Sequence, residues 1–194
     1  MGQKAEALRQ RIVAAASQLF YQQGYENTSF TDIADAVGIS RGNFYYHFKG
    51  KNEILDAVIE SRASGIKQLL QEWDVKYPDP RQRVLSYIDM LSDNQKNIRS
   101  HGCPIGSLCT ELAKLNHNIV HNANIMFTVS CDWLTVQFKQ LGHGKSAKQL
   151  SMHLLARTQG IAIITNAFKD STFLRQEVHR LKQWFNEVTA KSVN

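Results

Sequence analysis

Apolar residues recur at three- and four-residue spacing along most of the chain, in runs separated by glycine, proline and capping residues. Leu8, Ile12, Ala15, Ala16, Leu19 and Phe20 mark a first helix. Ile33, Ala34 and Val37 mark a short second one. Ser29 followed three residues later by Asp32 fits a capping box at its start, and Gly38 supplies the left-handed residue that ends it. Ser40 caps a third helix running to about Phe48, in which Phe44 and Phe48 lie four apart and face inward. Ile54, Leu55, Val58, Ile59, Ile66, Leu69, Leu70 and Trp73 mark a long fourth helix, which Pro78 and Pro80 end. Val84, Leu85, Ile88 and Leu91 mark a fifth. Pro104 suits the first turn of a sixth. A seventh is expected from about Asn118 to Leu141, stopped by Gly142 and Gly144. An eighth follows over Ala147–Phe168 and a ninth over Thr172–Ala190. There is no Asn-Gly or Asp-Gly hairpin signal and no sustained alternation of period two. The pattern predicts an all-α fold of about nine helices.

The second and third predicted helices carry most of the chemical information. They are joined by a tight turn containing glycine, the helix-turn-helix arrangement, whose second helix enters the major groove of DNA. That second helix opens with Arg41, Gly42 and Asn43, which leave little bulk near the groove floor, and then presents Tyr45, Tyr46 and His47 outward or sideways. Arginine suits guanine and asparagine suits adenine, so Arg41, Asn43 and Tyr45 are the candidates for base-edge contact. Thr28, Ser29, Ser40, Tyr46, His47 and Lys51 complete the DNA-contacting set, mainly at phosphates. Gly42 permits close backbone approach.

Charge refines this picture. The chain of 194 residues has a net charge of +6, but residues 1–51 hold six basic and four acidic side chains, so two thirds of the excess lies elsewhere. The placement of Lys49 and Lys51 just after the reading helix therefore carries more weight than the total. An apolar content of 43% is enough for a real core. No apolar run approaches the ~20 residues of a membrane span, and the opening residues lack a signal-peptide pattern. Three cysteines do not make a disulfide framework. A cytoplasmic protein without membrane association is expected.

The segment also resembles the DNA-binding domain of TetR-type (TetR/AcrR) transcriptional regulators. The resemblance rests on Thr28, Asp32-Ile33-Ala34, Gly38-Ile39-Ser40, Gly42, Phe44-Tyr45, His47-Phe48, Lys51 and Glu53-Ile54-Leu55, with Ala15, Leu19, Phe20, Gly24 and Tyr25 upstream. Asn43 departs from the small hydroxyl or glycine residues common there, and Phe44 replaces a frequent leucine. The resemblance implies a three-helix helix-turn-helix domain over residues 1–50, then a larger helical domain over residues 51–194 for effector binding and dimerisation. It implies a homodimer joined through its last two helices, double-stranded DNA with a palindromic operator as partner, and repression relieved by a small-molecule effector. Phe173, Leu174, Val178, Leu181, Trp184, Phe185 and Val188 form the apolar stripe of the last helix. The effector pocket is expected among the middle helices, with Trp73, Tyr87, Met90, Leu91, Leu108, Leu112, Met126, Phe127 and Trp133 as candidate lining.

Cys103 is the sharpest candidate for chemistry. It precedes Pro104 at a predicted helix start, where the helix dipole favours a thiolate. Its Gly-Cys-Pro-Ile-Gly segment resembles one in a subset of the same family, some members of which sense electrophiles or oxidants. His117 and His121, at i and i+4, have the spacing of a shared metal ligand pair, but no third ligand is evident and no metal or other cofactor is expected. His101 beside Cys103 lacks an orienting partner and an oxyanion site, so catalysis is not expected. The competing reading is an enzyme or binding protein that happens to contain a helix-turn-helix.

Overall fold

The computed structural model describes residues 2–115 and 120–190. Its helices are α1 (Gln3–Gln23), α2 (Phe30–Val37), α3 (Arg41–His47), α4 (Lys51–Lys76), α5 (Pro80–Asp93), α6 (Gln95–His101), α7 (Pro104–Lys114), α8 (Val120–Ala123), α9 (Ile125–Phe138), α10 (Ala147–Phe168) and α11 (Ser171–Ala190). A π turn at Lys139–His143 and a 3-10 turn at Gly144–Ser146 lead from α9 to α10. No strand occurs among the described residues.

The all-α expectation holds, and two stretches differ in detail. Where one helix was expected between Pro80 and Pro104 there are two, because Asn94 (φ −100°, ψ 13°) leaves the helical region and its side-chain amide bonds the Met90 carbonyl. The expected helix from Asn118 begins outside the described residues, and its remainder is divided into α8 and α9. Gly142 has φ 88°, which is why the chain turns there.

Packing divides the chain into two compact units. The first is Met1–Gly65 with Ser107–Met126; the second is Ile66–Gly106 with Phe127–Asn194. In the first, Ile12, Ala16 and Phe20 of α1, Ile33 and Val37 of α2, and Phe44 and Phe48 are buried. The ends are tied by polar contacts as well. Arg11 donates to the Val37 carbonyl at 2.9 Å, and Arg62 donates to the Ser17 carbonyl at 2.7 Å.

In the second unit, α5, α9, α10 and α11 contribute Ile88, Leu134, Phe138, Leu154, Leu174, Leu181 and Phe185 to one apolar cluster. A polar network closes one end of it. Arg83 donates to the Tyr77 carbonyl at 2.7 Å and to Gln137 Oε1 at 3.1 Å, and pairs with Asp74 at 3.4 Å. Asp74 also accepts the Trp133 indole N–H at 3.0 Å. Satisfying these partly buried groups mutually avoids the penalty of leaving a charge unpaired. No helix among the described residues is long and apolar enough to cross a membrane.

Candidate nucleic-acid interface

The local signals that define α2 and α3 are realised in detail. The Ser29 hydroxyl accepts the Asp32 N–H at 3.1 Å, while the Ser29 N–H and hydroxyl donate to Asp32 Oδ2 at 2.7 and 2.8 Å. These bonds, the backbone N–H first, hold the Asp32 carboxyl below the usual carboxylate range. Gly38 adopts φ 73°, ψ 41° and ends α2. The Ser40 hydroxyl then accepts the Asn43 N–H at 3.3 Å and starts α3.

α3 is held from inside by aromatic packing. Phe44 is 1% exposed and Phe48 is fully buried. The Phe44 ring meets Phe30 edge-on at 5.4 Å, and the Arg9 guanidinium covers the Phe48 ring at 4.8 Å. With Phe44 inward, Arg41, Gly42, Asn43, Tyr45 and Tyr46 are all exposed. Tyr46 is 68% exposed. Its ring edge contacts His47 at 5.2 Å. A shallow cleft of about 200 Å³ lies beside this face, lined by Ser29, Thr31, Arg41, Phe44 and Tyr45 among others.

Three of the expected phosphate contacts look different in the structure. Thr28 is 1% exposed; its hydroxyl donates to the Gly24 carbonyl at 2.7 Å and its N–H to the Tyr25 carbonyl at 3.2 Å. Both donors are used to close a turn, and Thr28 is buried within the domain. The Lys49 ammonium bonds the Tyr45 carbonyl at the end of α3. The Lys51 ammonium bonds the Glu26 carbonyl at 3.0 Å and lies 4.3 Å from the centre of the Tyr25 ring. Burial first, and then the charges of Glu26 and Glu111, raise the pKa of the Tyr25 phenol. Tyr25 donates to Asn52 Oδ1 at 3.0 Å.

One residue of this unit gave no signal in the sequence. Glu111, on α7, accepts the Tyr25 N–H at 2.9 Å and the Glu26 N–H at 2.8 Å. It lies 85 and 86 positions away, beyond the reach of any local pattern.

The pocket candidates are distributed between the two units. Tyr87 and Leu91 are buried in the second-unit cluster, with Trp73, Met90 and Trp133 packed against it. The Trp73 and Trp133 rings lie 6.0 Å apart, and Tyr87 and Trp133 lie 6.3 Å apart. Burial pushes the Tyr87 phenol up to about 12, with Ser130 and Thr158 as its hydrogen-bond partners. Phe127 also belongs to this unit and is half-buried. Leu108, Leu112 and Met126 belong to the first unit and are 2% exposed or less.

Cys103 is half-buried, and its Sγ accepts the Gly106 N–H at 3.4 Å at the start of α7. Cys109 and Cys131 are buried. His117 lies outside the described residues, as does the side chain of His121.

A capped pair of short helices with the second exposed on one face defines a helix-turn-helix motif of the DNA-binding kind. The comparisons agree. Residues 12–58 match the family described as bacterial regulatory proteins, tetR family. Over 188 residues the chain is 28% identical to the HTH-type transcriptional regulator in the lacX 3′ region of Lactococcus lactis subsp. lactis, covering 94% of this chain and 95% of that one. It is 40% identical over 86 residues to the HTH-type transcriptional regulator AcrR of Shigella flexneri, covering 44% of this chain and 40% of that one. A crystal structure of a TetR transcriptional regulator from Legionella pneumophila shares the fold, with a TM-score of 0.80 at 24% identity over 94% of this chain and 97% of that one. Residues 12–58 thus carry a DNA-binding domain of the tetR family, and the chain is similar over most of its length to an HTH-type transcriptional regulator.

Proposed function

We propose that the protein is a homodimeric repressor that leaves a palindromic operator when a small-molecule effector binds its second unit. The observation that carries this reading is the outward face of α3, where Arg41, Asn43 and Tyr45 stand exposed on a helix that is held by the buried Phe44 within it and Phe48 at its end. Arg41 and Asn43 read base edges, Tyr45 adds contact in the groove, and Gly42 lets the backbone approach. Ser29, Ser40, Tyr46 and His47 contact phosphates and fix register. Lys51 adds positive charge close to the backbone while holding its own turn together.

Dimerisation through α10 and α11 is supported by an uncovered apolar stripe. Met152, Ile163, Ile164 and Phe168 on α10 are 51%, 59%, 40% and 75% exposed, with Ala156 and Gly160 exposed between them. Such a stripe is costly in water and suits a second copy. Two copies place two reading helices about 34–36 Å apart, one turn of DNA. The effector shifts the balance between DNA-competent and incompetent states only by its differential affinity for them. Its site is the aromatic region around Trp73, Tyr87 and Trp133 in the second unit. The half-buried thiol of Cys103 is a second input, as a sensor of electrophiles. A Cys103→Ser protein that responds to electrophiles as wild type does would remove that element alone.

The test of the central reading is a gel shift with the DNA flanking the protein's own gene, at low salt. A retarded complex that survives competitor DNA supports a sequence-specific regulator. No shift with that DNA, or with duplexes from a random pool, refutes it in favour of an enzyme or binding protein.

A further inference from the structure

We infer that Glu111 is a positioning residue for DNA recognition: from α7 its carboxylate holds the Gly24–Glu26 turn in the shape that seats α2 and α3. The inference rests on the reading that α3 binds DNA.

The geometry is that of a chelate. Oε2 accepts the Tyr25 N–H at 2.9 Å and Oε1 accepts the Glu26 N–H at 2.8 Å, so both carboxylate oxygens serve consecutive amides of one turn. Bonds to an ionised acceptor are short and stronger than neutral ones. The turn is fitted to its clamp: Gly24 sits at φ 90°, and a Cβ there would lie 3.1 Å from Glu111 Oε1. A side chain at Gly24 would therefore meet both backbone strain and the carboxylate.

The turn is gripped from a second side by the first turn of α4, through the Lys51 bond to the Glu26 carbonyl and the Tyr25 bond to Asn52. It is passed on toward the reading helix by Thr28, whose hydroxyl bonds the Gly24 carbonyl and whose N–H bonds the Tyr25 carbonyl. Thr28 immediately precedes Ser29, the cap of α2. Hydrogen bonds thus run from Glu111 through the turn to Thr28, whose peptide bond leads directly into the Ser29 cap, and α2 packs on α3 through Phe30 and Phe44. The carboxylate does this beside another acid, Glu26, and the two negative charges repel. A residue needed only to fill space would be apolar here. Its placement is explained by the two amide donors.

α7 is one continuous helix, Pro104–Lys114, whose first three residues belong to the second compact unit and whose remainder belongs to the first. Glu111 stands seven residues along it, about 10 Å at the helical rise.

The experiment uses the full chain and a duplex selected by the wild-type protein from a random-sequence pool. Glu111→Ala, Glu111→Gln and Gly24→Ala are compared for duplex affinity, for thermal unfolding, and for amide exchange at Tyr25 and Glu26. Glu111→Ala, which loses both bonds, should bind at least about tenfold more weakly, a change equivalent to about 1.4 kcal/mol. Glu111→Gln, which keeps one acceptor oxygen, should fall between it and wild type. Exchange at the Tyr25 and Glu26 amides should rise in both, with protection in α10 and α11 unchanged. Gly24→Ala should reproduce the defect with Glu111 still present, which covers the case in which Glu111→Ala unfolds the domain. Wild-type affinity in Glu111→Ala overturns the inference. So does a loss of affinity with Tyr25 and Glu26 still protected, because the effect would then arise elsewhere. If the wild-type protein selects no duplex at all, the DNA-binding reading itself falls, a result distinct from either.

Discussion

Replacing Phe44 by alanine should cost the protein its DNA affinity while leaving the second unit folded. α3 has seven residues, two turns, and an isolated helix of that length does not persist in water. Its cap at Ser40 contributes about 1 kcal/mol and cannot hold it alone. What holds it is burial: Phe44 is 1% exposed, edge-on to Phe30 at 5.4 Å, with Phe48 at 6.4 Å and Tyr45 at 6.2 Å. Truncation of a buried phenylalanine to alanine costs about 3–5 kcal/mol, and each lost ring pair accounts for roughly 0.5–1.5 kcal/mol of that. Small domains have a total stability of about 5–15 kcal/mol. The substitution therefore removes a large share of what orders residues 30–48. Phe44→Leu, which keeps most of the volume, should cost less than about 1.5 kcal/mol.

The assay is amide exchange resolved along the chain, run beside a DNA titration. In Phe44→Ala, exchange over residues 30–48 should approach that of an unfolded peptide, with protection in α10 and α11 unchanged and DNA binding lost. In Phe44→Leu both should stay near wild type. If Phe44→Ala keeps its protection over residues 30–48 and binds DNA within a few-fold of wild type, aromatic burial is not what seats the reading helix.

Other predictions concern charge, readout and assembly. Because the folded-state pKa of Asp32 is depressed, its capping box stabilises above the ordinary carboxylate value of about 3.9 and fades as pH falls through the lower folded value; Asp32→Asn should flatten that acid limb of exchange in α2. Arg41→Ala should relax base preference at one position by roughly 1–3 kcal/mol in a competition assay, whereas Lys51→Ala should weaken all sequences alike and lower the salt slope by about one. Equal losses on every sequence in both would reverse that assignment. Ile163→Arg, at a position 59% exposed, should convert the dimer to a monomer in sedimentation with helicity retained. A wild-type protein that sediments as a monomer at micromolar concentration removes the dimer reading altogether.

Legibility followed the range of the interaction. Ser29 and Asp32 are three residues apart, Ser40 and Asn43 likewise, and Phe44 and Phe48 four, so these caps and this contact are written within about one helical turn of sequence. The break at Asn94 was missed because asparagine is tolerated near helix ends without the strong signal of glycine or proline. Thr28 was ambiguous because a hydroxyl before a helix suits a phosphate and a turn equally. Only the positions of Gly24 and Tyr25 show that both its donors are spent. The division of the pocket candidates between two units was likewise invisible, since apolar spacing marks an inward face without saying which core it faces.

Glu111 shows why the remainder stayed hidden, and what that implies for DNA binding. Nothing in the sequence around Thr110–Leu112 distinguishes an acid that clamps a distant turn from one that faces solvent on an amphipathic helix. The distinction appears only when the fold brings Tyr25 and Glu26 to within 3 Å of it. The same fold shows that the DNA-reading segment is not self-sufficient. α2 has eight residues and α3 has seven, and their caps, worth about 1 kcal/mol each, do not offset the cost of ordering them. Their order is drawn from Phe44 and Phe48 inside the domain and from the turn that Glu111, Lys51 and Thr28 hold in place. A helix that reads DNA only while its neighbours hold it is one whose affinity those neighbours set, so substitutions in α7 should change DNA affinity without a single contact to DNA.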